Sequence, residues 1–305
     1  MFGIKTFFKK NRAQMSNLKH EIIFNRLTLG KLLERDNINN TAAILADIQK
    51  SEFKIFSQGG DDGIINFLIN YLDDIPKTFV EFGVENYTES NTRFLLINNN
   101  WSGLIMDGSD DNIAFVKSEN LFWQQNLTAI ADFITAENID NLLINNGFIG
   151  ELGLLHIDID GNDYWVWKAI KAVDPIIVIV EYNSLFGADN PWTTLYDPSF
   201  VRTKSHYSNL LYGTSLLSIC DLAAEKGYGF IGCNSNGNNA YFVRKDKLKD
   251  LRELTVTDGY VKSQFSEGRD KDGNLVFARG EERLIPLQGL DIYNTRTEKI
   301  EKIQL

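Results

Sequence analysis

Carboxylates, a glycine and an asparagine directly follow an apolar run at residues 154–163, which read LLHIDIDGND. A buried parallel strand has this pattern where it reaches the carboxyl edge of an open α/β sheet, the edge at which ligands bind. Asp158, Asp160 and Asp163 would repel one another unless a cation, a proton or a polar ligand compensated their charge. Capping of the next helix needs only one acid. The segment therefore predicts a binding or catalytic site at this strand end.

Glu181 and Asn183 follow at the end of the next predicted strand, residues 176–181. Because the carboxyl ends of parallel strands meet at one edge of a sheet, we expect Asp158, Glu181 and Asn183 to offer oxygen ligands to one metal ion. Such ligands suit Mg²⁺ or Ca²⁺, and a bound cation lowers the pKa of a hydroxyl group. The structural alternatives are that Glu181 only binds backbone amides and that Asn183 is a turn residue.

A histidine base is the alternative to a cation for activating a hydroxyl group. His206 lies in the aromatic-rich segment 187–212, which is long for a connection between a strand and a helix. Such a segment covers a substrate, or it only packs its own aromatic residues or forms a surface in a homo-oligomer. The competing interpretations make His206 a surface residue and His156 a hydrogen-bonded core residue. Asp158 and Asp160 are the acids that we expect to act on the acceptor.

Short apolar runs alternate with helical stretches between residues 77 and 244, which indicates parallel strands joined by crossover helices. The predicted strands are residues 78–82, 103–106, 127–131, 154–158, 176–181, 229–233 and 240–244. The polar link 234–239 is too short to hold a crossover helix, so the last strand is predicted to run antiparallel to its neighbour. Asp272-Gly273 predicts a hairpin turn between residues 264–267 and 275–278.

The composition limits the classes of partner. The 305-residue chain is 43% hydrophobic and 24% charged, and its formal net charge is −10. A nucleic-acid partner is not expected, because phosphate binding needs a basic surface. The two cysteines lack metal-type spacing and indicate free thiols in a reducing compartment, and no apolar run is long enough to span a membrane. We therefore expect a cytoplasmic protein.

Six parallel strands followed by one antiparallel partner resemble the sheet of the class I S-adenosylmethionine-dependent methyltransferases. More specifically, the chain resembles the FkbM-like methyltransferases that carry an IDIDGNDYW signature, here residues 157–165. Further matching motifs are SQGGDDGI at 57–64, VEFGVENYTESNTR at 80–93, FITAENI at 133–139, VEYNS at 180–184 and YGTSL at 212–216. The resemblance implies a Rossmann-like α/β fold, with a mostly parallel seven-stranded sheet, an antiparallel last strand and helices on both faces.

The resemblance runs from about residue 55 to the C-terminus, whereas the pattern of apolar runs divides the chain near residues 70 and 250. Residues 1–70 show helical spacing of apolar residues, for example at Ile22, Leu27 and Ile44. We predict an N-terminal helical arm at residues 1–70, a methyltransferase domain that binds S-adenosylmethionine at 71–250, and a C-terminal extension at 251–305.

The resemblance also implies a cofactor site at the ends of the first strands. Gly83 lies in the turn after the first strand, where the cofactor would approach the following helix. Asp107 is expected to bind the ribose hydroxyls, and Asp132 the adenine amino group. The other expected cofactor contacts are Glu81 at the first strand end, Thr88, Glu89 and Ser90 at the amino-acid end, Asp158, and Trp165 beside the adenosine. Each of these residues could instead have a structural role, as a helix cap, a solvated strand end or a packing group.

The expected activity is methyl transfer from S-adenosylmethionine to a hydroxyl group of a glycan or a small hydroxylated metabolite, with Mg²⁺ as an optional second cofactor. One alternative is a nicotinamide-dependent oxidoreductase, which the single glycine of the first turn and the antiparallel last strand disfavour. The other is a relative that binds the cofactor without catalysis, against which the acids near Asp158 argue.

Overall fold

The structure is a computed structural model that describes the backbone of residues 2–304 and the side chains of residues 11, 14, 15, 17, 18 and 20–304. Within this part of the chain the strands are β1 (Thr78–Phe82), β2 (Ser102–Asp107), β3 (Leu127–Ala131), β4 (Gly150–Ile157), β5 (Val173–Glu181), β6 (Trp192–Thr193), β7 (Tyr228–Cys233), β8 (Asn239–Arg244), β9 (Asp291–Asn294) and β10 (Lys299–Lys302). The α-helices are α1 (Phe2–Asn39), α2 (Thr41–Ala46), α3 (Asp61–Tyr71), α4 (Arg93–Asn98), α5 (Asp110–Ser118), α6 (Asn120–Gln124), α7 (Ile139–Asn145), α8 (Asp163–Ala169), α9 (Arg202–Ser205), α10 (Leu216–Glu225) and α11 (Val256–Gly259).

Seven strands form the main sheet in the order β3-β2-β1-β4-β5-β8-β7. The pairs among β1 to β5 are parallel, whereas β8 runs antiparallel to both β5 and β7. All seven predicted strands are therefore present, and the predicted antiparallel last strand is confirmed. The predicted fold class, a Rossmann-like methyltransferase sheet, is confirmed by this strand order.

Helices cover both faces of the sheet because alternate strand residues are buried on opposite sides. Phe79 of β1 belongs to a core that it shares with α3, α4 and α5. Its neighbours Val80 and Phe82 belong to a second core, shared with α7, α8 and α10. This double burial explains why the central strands read as continuous apolar runs. It also leaves the strand ends as the place where polar groups can gather.

A second sheet, in the order β10-β9-β6, was not predicted from the sequence. It pairs the connection after β5 with the C-terminal segment, around a small core that includes Phe186, Trp192, Leu210 and Ile292. The two strands predicted for a hairpin at residues 264–278 do not form, and a single bridge joins Arg269 to Leu275 instead.

The predicted turn of that hairpin is present, since the backbone N–H of Gly273 donates to the carbonyl of Asp270. Strands do not extend from it because Phe265, Leu275 and Val276 are exposed and have no apolar layer to cover them. The domain boundaries at residues 70 and 250 stay predictions. None of the helices described here is both long enough and apolar enough to cross a membrane.

Candidate functional site

A cavity of about 440 Å³ opens at the carboxyl ends of the parallel strands. Its lining includes acids from four neighbouring strand ends, which are Glu81, Asp107, Asp158 and Glu181. The volume is within the range of about 300–1,000 Å³ that is usual for small-molecule sites. Nine of the residues predicted for the site line this cavity: Glu81, Gly83, Glu89, Ser90, Asp107, Asp132, Asp158, Asp160 and Glu181.

The turn after β1 is held against the segment after β4. Gly83 has a φ of +69°, and a β-carbon on it would lie 1.6 Å from the carbonyl oxygen of Asp158. Both the left-handed backbone and this close approach require glycine. The turn can therefore bring the backbone at β1 next to the acids at β4, within one cavity.

Glu81 is the centre of a buried hydrogen-bond network that shapes the following loop. Its carboxylate accepts hydrogen bonds from the Ser90 hydroxyl at 2.5 Å, the Asn91 backbone N–H at 2.9 Å and the Thr92 hydroxyl. It also lies 2.9 Å from His156 Nδ1, and His156 is its direct partner across β1 and β4. Glu81 and Ser90 thus line the cavity, but their polar atoms bind one another.

The Glu81–His156 pair is buried, and each side chain stabilises the charge of the other. Burial raises the pKa of Glu81, but the hydrogen bonds from His156, Ser90 and Thr92 outweigh it, so that the pKa is lowered overall. Burial lowers the pKa of His156, and the hydrogen bond and negative charge of Glu81 reverse this and raise it. The remaining ring nitrogen of His156, Nε2, lies 3.1 Å from the side-chain amide of Asn91, whose oxygen must face it when both ring nitrogens carry a proton. His156 is therefore a satisfied core histidine, as one of the sequence interpretations holds.

Asp107 and Asp132 lie together at the ends of β2 and β3. Asp107 accepts hydrogen bonds from the backbone N–H groups of Glu85 at 2.8 Å and Ser109 at 2.9 Å, while the N–H of Asp132 donates to the Asp107 carbonyl. The loop after β1 is thereby tied to the end of β2. Both side chains remain in the lining of the cavity.

Asp158, Asp160 and Glu181 form a cluster of like charges in the cavity. Each can place one carboxylate oxygen within 4.8 Å of the others. Burial, and then the charge of Asp160, raises the pKa of Asp158 to about 7. Burial, and then the charge of Asp158, raises the pKa of Glu181 well above its usual value.

The same three acids fit a divalent cation. Glu181 Oε2 is buried without a hydrogen-bond partner in the described part of the chain. Three carboxylates are the hard oxygen ligands that Mg²⁺ and Ca²⁺ take. A cation or protons would relieve the repulsion among them. Asp163 is not part of this group, since it accepts hydrogen bonds from the N–H groups of Ile159 and Gly161 and so fixes the loop.

Four residues predicted for the site do not line the cavity: Thr88, Trp165, Asn183 and His206. Asn183 donates hydrogen bonds to the carbonyls of Leu210 and Tyr212, both at 3.0 Å, and accepts one from the Leu185 N–H. Its amide therefore holds the loop after β5, and the structure brings Asp160 rather than Asn183 to Asp158 and Glu181.

The other three side chains also have partners outside the cavity. Thr88 bonds to Asn86. His206 Nδ1 lies 2.8 Å from the Ser208 hydroxyl. Trp165 donates to the Thr194 carbonyl, with its ring packed on Tyr164, Tyr196 and Tyr293. The structure thus does not bring these three residues to the acids.

Arg202, in the long segment after β5, lines the cavity and was missed in the sequence. Its guanidinium donates to Asp160 and to Glu267, each at 2.6 Å, and lies 3.6 Å from the centre of the Tyr212 ring. The excess of acids at the strand ends could have indicated it, because such an excess favours a basic side chain from a nearby loop. Its neighbour in the cavity, Arg283, comes from the C-terminal segment.

No protein-family model matches the chain, and no curated protein matches it significantly. Solved structures similar in fold include an O-methyltransferase from Bacillus cereus in complex with SAH, with 15% identity, 69% of this chain and 88% of that chain covered, and a TM-score of 0.39. An S-adenosylmethionine-dependent methyltransferase from Clostridium acetobutylicum has 13% identity, with 68% and 98% covered and a TM-score of 0.39. The SAH-bound N-terminal domain of EvdMO1 has 12% identity, with 68% and 94% covered and a TM-score of 0.35. The strand order, rather than these distant matches, carries the fold assignment.

Proposed function

We propose that the protein is an S-adenosylmethionine-dependent O-methyltransferase that acts on a hydroxyl group of a glycan or a small hydroxylated metabolite in the cytoplasm. One observation carries the proposal. The cavity at the carboxyl edge of the sheet joins the Gly83 turn to the acids Asp158, Asp160 and Glu181. A nucleoside cofactor and an alcohol can therefore lie side by side at a switch point of the sheet.

The described residues offer a place for each part of the cofactor. Asp107 and Asp132 would bind the ribose and the adenine, and Glu89 and Ser90 would lie at the amino-acid end. Gly83 lines the same cavity, and its turn holds the segment after β4 close to the end of β1. When bound, S-adenosylmethionine supplies a methyl carbon on a sulfonium, which is transferred to the acceptor oxygen as the carbon–sulfur bond breaks.

The chain's own contribution is mainly to hold the two reactants in line, an effect that can be worth about 7–11 kcal/mol. Asp158, whose side chain lines the cavity, would accept the proton that the hydroxyl loses. Arg202 holds Asp160 in place and, with Tyr212, closes the cavity on the acceptor side. Excluding water there strengthens the interaction between the acids and the hydroxyl.

A divalent cation, if bound, would be held by Asp158, Asp160 and Glu181. It would supply the positive charge that lowers the pKa of the acceptor hydroxyl. In that case Asp160 takes the place that the sequence suggested for Asn183. His206 as a base would require the segment around it to move, since its ring lies outside the cavity.

A nicotinamide enzyme is a weaker candidate for this sheet. The turn after β1 holds Gly83 alone, without the glycine pattern that cradles a pyrophosphate, and β8 is antiparallel. A relative that binds the cofactor without catalysis would not require three repelling acids beside the Gly83 turn.

The proposal is tested with S-adenosylmethionine carrying a deuterated methyl group, incubated with the protein and pools of hydroxylated metabolites and glycan fragments. We expect a product in which CD₃ replaces the hydrogen of one hydroxyl group, in an amount reduced by a chelator if the cation takes part. Labelling of nitrogen or carbon would reject the O-methyl assignment. Hydride exchange with NAD would favour the oxidoreductase.

A further inference from the structure

Arg283 is a buried cation that forms no ion pair with any of the described residues. Its side chain lines the cavity, and the residue is only 4% exposed. Its Nε has no hydrogen-bond partner, and among the described residues its guanidinium takes part in no hydrogen bond or ion pair. A buried guanidinium is normally paired with a carboxylate or several carbonyls, because transferring it out of water without such a partner costs free energy.

The neighbouring acid is already engaged elsewhere. Glu267 bonds at 2.6 Å to Arg202, which also binds Asp160. Burial lowers the pKa of Arg283, and the nearby charge of Arg202 lowers it further, while Tyr212 and Glu267 raise it. Two guanidinium groups thus lie on one wall of the cavity, and one of them has no partner.

This wall is on the acceptor side of the cavity. Arg202 reaches Asp160, one of the three acids beside the Gly83 turn. The residues expected to bind the adenosine, Asp107 and Asp132, lie at the ends of β2 and β3, on the other half of the sheet. A ligand at Arg283 would therefore lie on the same side of the cavity as Arg202 and Asp160, away from the residues expected to bind the adenosine.

We propose that the methyl acceptor is an acid, and that Arg283 binds its oxyanion while Asp158 faces its hydroxyl. The proposal rests on the proposed function. A carboxylate and a phosphate each present two oxygens that one guanidinium can bind at the same time. The substrate class is thus a hydroxylated carboxylic acid, such as a uronic acid, or a hydroxylated phosphate ester.

The test uses the protein saturated with SAH, so that the cofactor site is filled. Thermal shifts are measured with glucose, glucuronate, glucose 1-phosphate, acetate and inorganic phosphate. We expect the carboxylates or the phosphates to raise the melting temperature, with glucose inactive. Shifts with glucuronate and acetate would identify a carboxylate as the oxyanion, and shifts with glucose 1-phosphate and inorganic phosphate would identify a phosphate. Arg283→Met should weaken the apparent affinity by at least about tenfold, whereas Arg279→Met, an exposed arginine of the same segment, should keep it.

Three results would overturn the proposal: no shift with any of the four anions, an equal shift with glucose, or an unchanged shift in Arg283→Met. Arg283→Gln serves as a second variant if the methionine variant does not fold. Failure of SAH itself to bind would contradict the proposed function instead, so the two failures are distinguishable.

A separate observation concerns α1, which has an uncovered apolar stripe. The stripe consists of Met15, Leu18, Ile22, Asn25, Leu29 and Leu32, spaced alternately by three and four residues. The apolar members are 44–59% exposed. The opposite side of the helix packs on the body of the protein through Ile23, Leu27 and Gly30, next to Phe94.

We infer that the stripe binds the same stripe of a second copy in a parallel two-stranded coiled coil. A spacing of 3.5 residues keeps a stripe facing its partner along the helix. Asn25 would meet its own copy at a d position of this seam, between the a-position residues Ile22 and Leu29. Glu21 of one helix would lie opposite Arg26 of the other, and both side chains are exposed.

The oligomeric state is measured by light scattering during size-exclusion chromatography. We expect a dimer for the wild type and for Phe24→Lys, which changes an exposed residue beside the stripe. The double variant Ile22→Lys/Leu29→Lys should be a monomer. Leu18→Cys and, separately, Leu29→Cys should each cross-link to itself on oxidation, since only the parallel arrangement brings both residue 18 and residue 29 next to their own copies. A monomeric wild type, a dimeric double variant or the absence of either cross-link would contradict the inference.

Discussion

At the scale of single residues, the polar side chains at the strand ends are of two kinds: some bind neighbouring loops, and others remain available to a ligand. The polar atoms of Glu81 and Asn183 form hydrogen bonds with the loops next to them. Asp158 and Glu181, by contrast, are crowded by like charges, and one oxygen of Glu181 has no partner in the described chain. Sequence alone identified the acids but not this division, because both kinds of side chain follow a strand end.

Gly83→Ala tests the backbone at the cofactor turn. The added methyl group would meet the Asp158 carbonyl, so we expect the free energy of unfolding in urea to fall by more than about 3 kcal/mol and SAH affinity to be lost. Gly147→Ala is the matched control, since Gly147 also has a positive φ, of +80°, but open space around it. It should cost only about 1–2 kcal/mol and leave SAH binding intact. Equal losses in both variants would show that the close approach at Gly83 is unimportant.

Asp158→Asn tests the proton acceptor. We expect the rate of methyl transfer to fall by about 10²–10⁴-fold, while SAH affinity measured by calorimetry changes little. Asp189→Asn, at an exposed position of the loop after β5, should transfer methyl groups at the wild-type rate. Asp158 has no part in the chemistry if its variant keeps the wild-type rate.

At the scale of elements, the sequence predicts the main sheet well because each central strand is buried on both faces. The runs at residues 78–82 and 127–131 match β1 and β3 residue for residue. The short polar link before β8 also requires its antiparallel direction. The second sheet could not be found in this way, since β6 has two residues and β10 reads KIEK, a pattern without an apolar face.

The pairing of β1 with β4 leads to a prediction about histidine titration. NMR in the presence of EDTA should find the pKa of His156 above the usual 6.5, because Glu81 faces it, and that of His206 below 6.5, because burial lowers it. The variants His20→Gln and His206→Gln assign the signals. A His156 pKa below 6.5 would mean that the pair is not charged.

The same pair sets a pH dependence of stability. The folded pKa of His156 is raised, so its contribution is complete below about 6.5 and is lost as the pH rises through the folded value. The folded pKa of Glu81 is lowered from 4.5, so its contribution is present above that pH and is lost as the pH falls through the folded value. The free energy of unfolding contributed by the pair should therefore be greatest between about pH 4.5 and 6.5.

At the scale of the whole molecule, the cavity is closed by segments that are distant in the sequence. Arg202 joins Glu267 across the cavity wall, the Tyr260 hydroxyl donates to the Ser184 carbonyl, and β6 pairs with β9. The C-terminal segment thus covers the edge of the sheet where the acids lie. A single sequence gives no sign of such pairings, since they depend on contacts between residues about 65 to 100 positions apart.

Arg202→Met tests this closure. Loss of its ion pairs with Asp160 and Glu267 should raise hydrogen exchange in residues 197–212 and 263–270 by about tenfold. Arg244→Met is the matched control, because Arg244 also binds several acids, Glu151, Asp174 and Asp246, but at the opposite end of the sheet. Unchanged exchange in Arg202→Met would show that the wall is held by other contacts.

The most direct test of the central claim is calorimetric titration of the purified protein with SAH. We expect binding at one site per chain, no binding of NAD, and an affinity reduced by at least about tenfold in Asp107→Ala, where the ribose loses its partner. A protein that shows no heat with SAH, or binds it equally well without the Asp107 carboxylate, would contradict the assignment of this cavity to a sulfonium nucleoside.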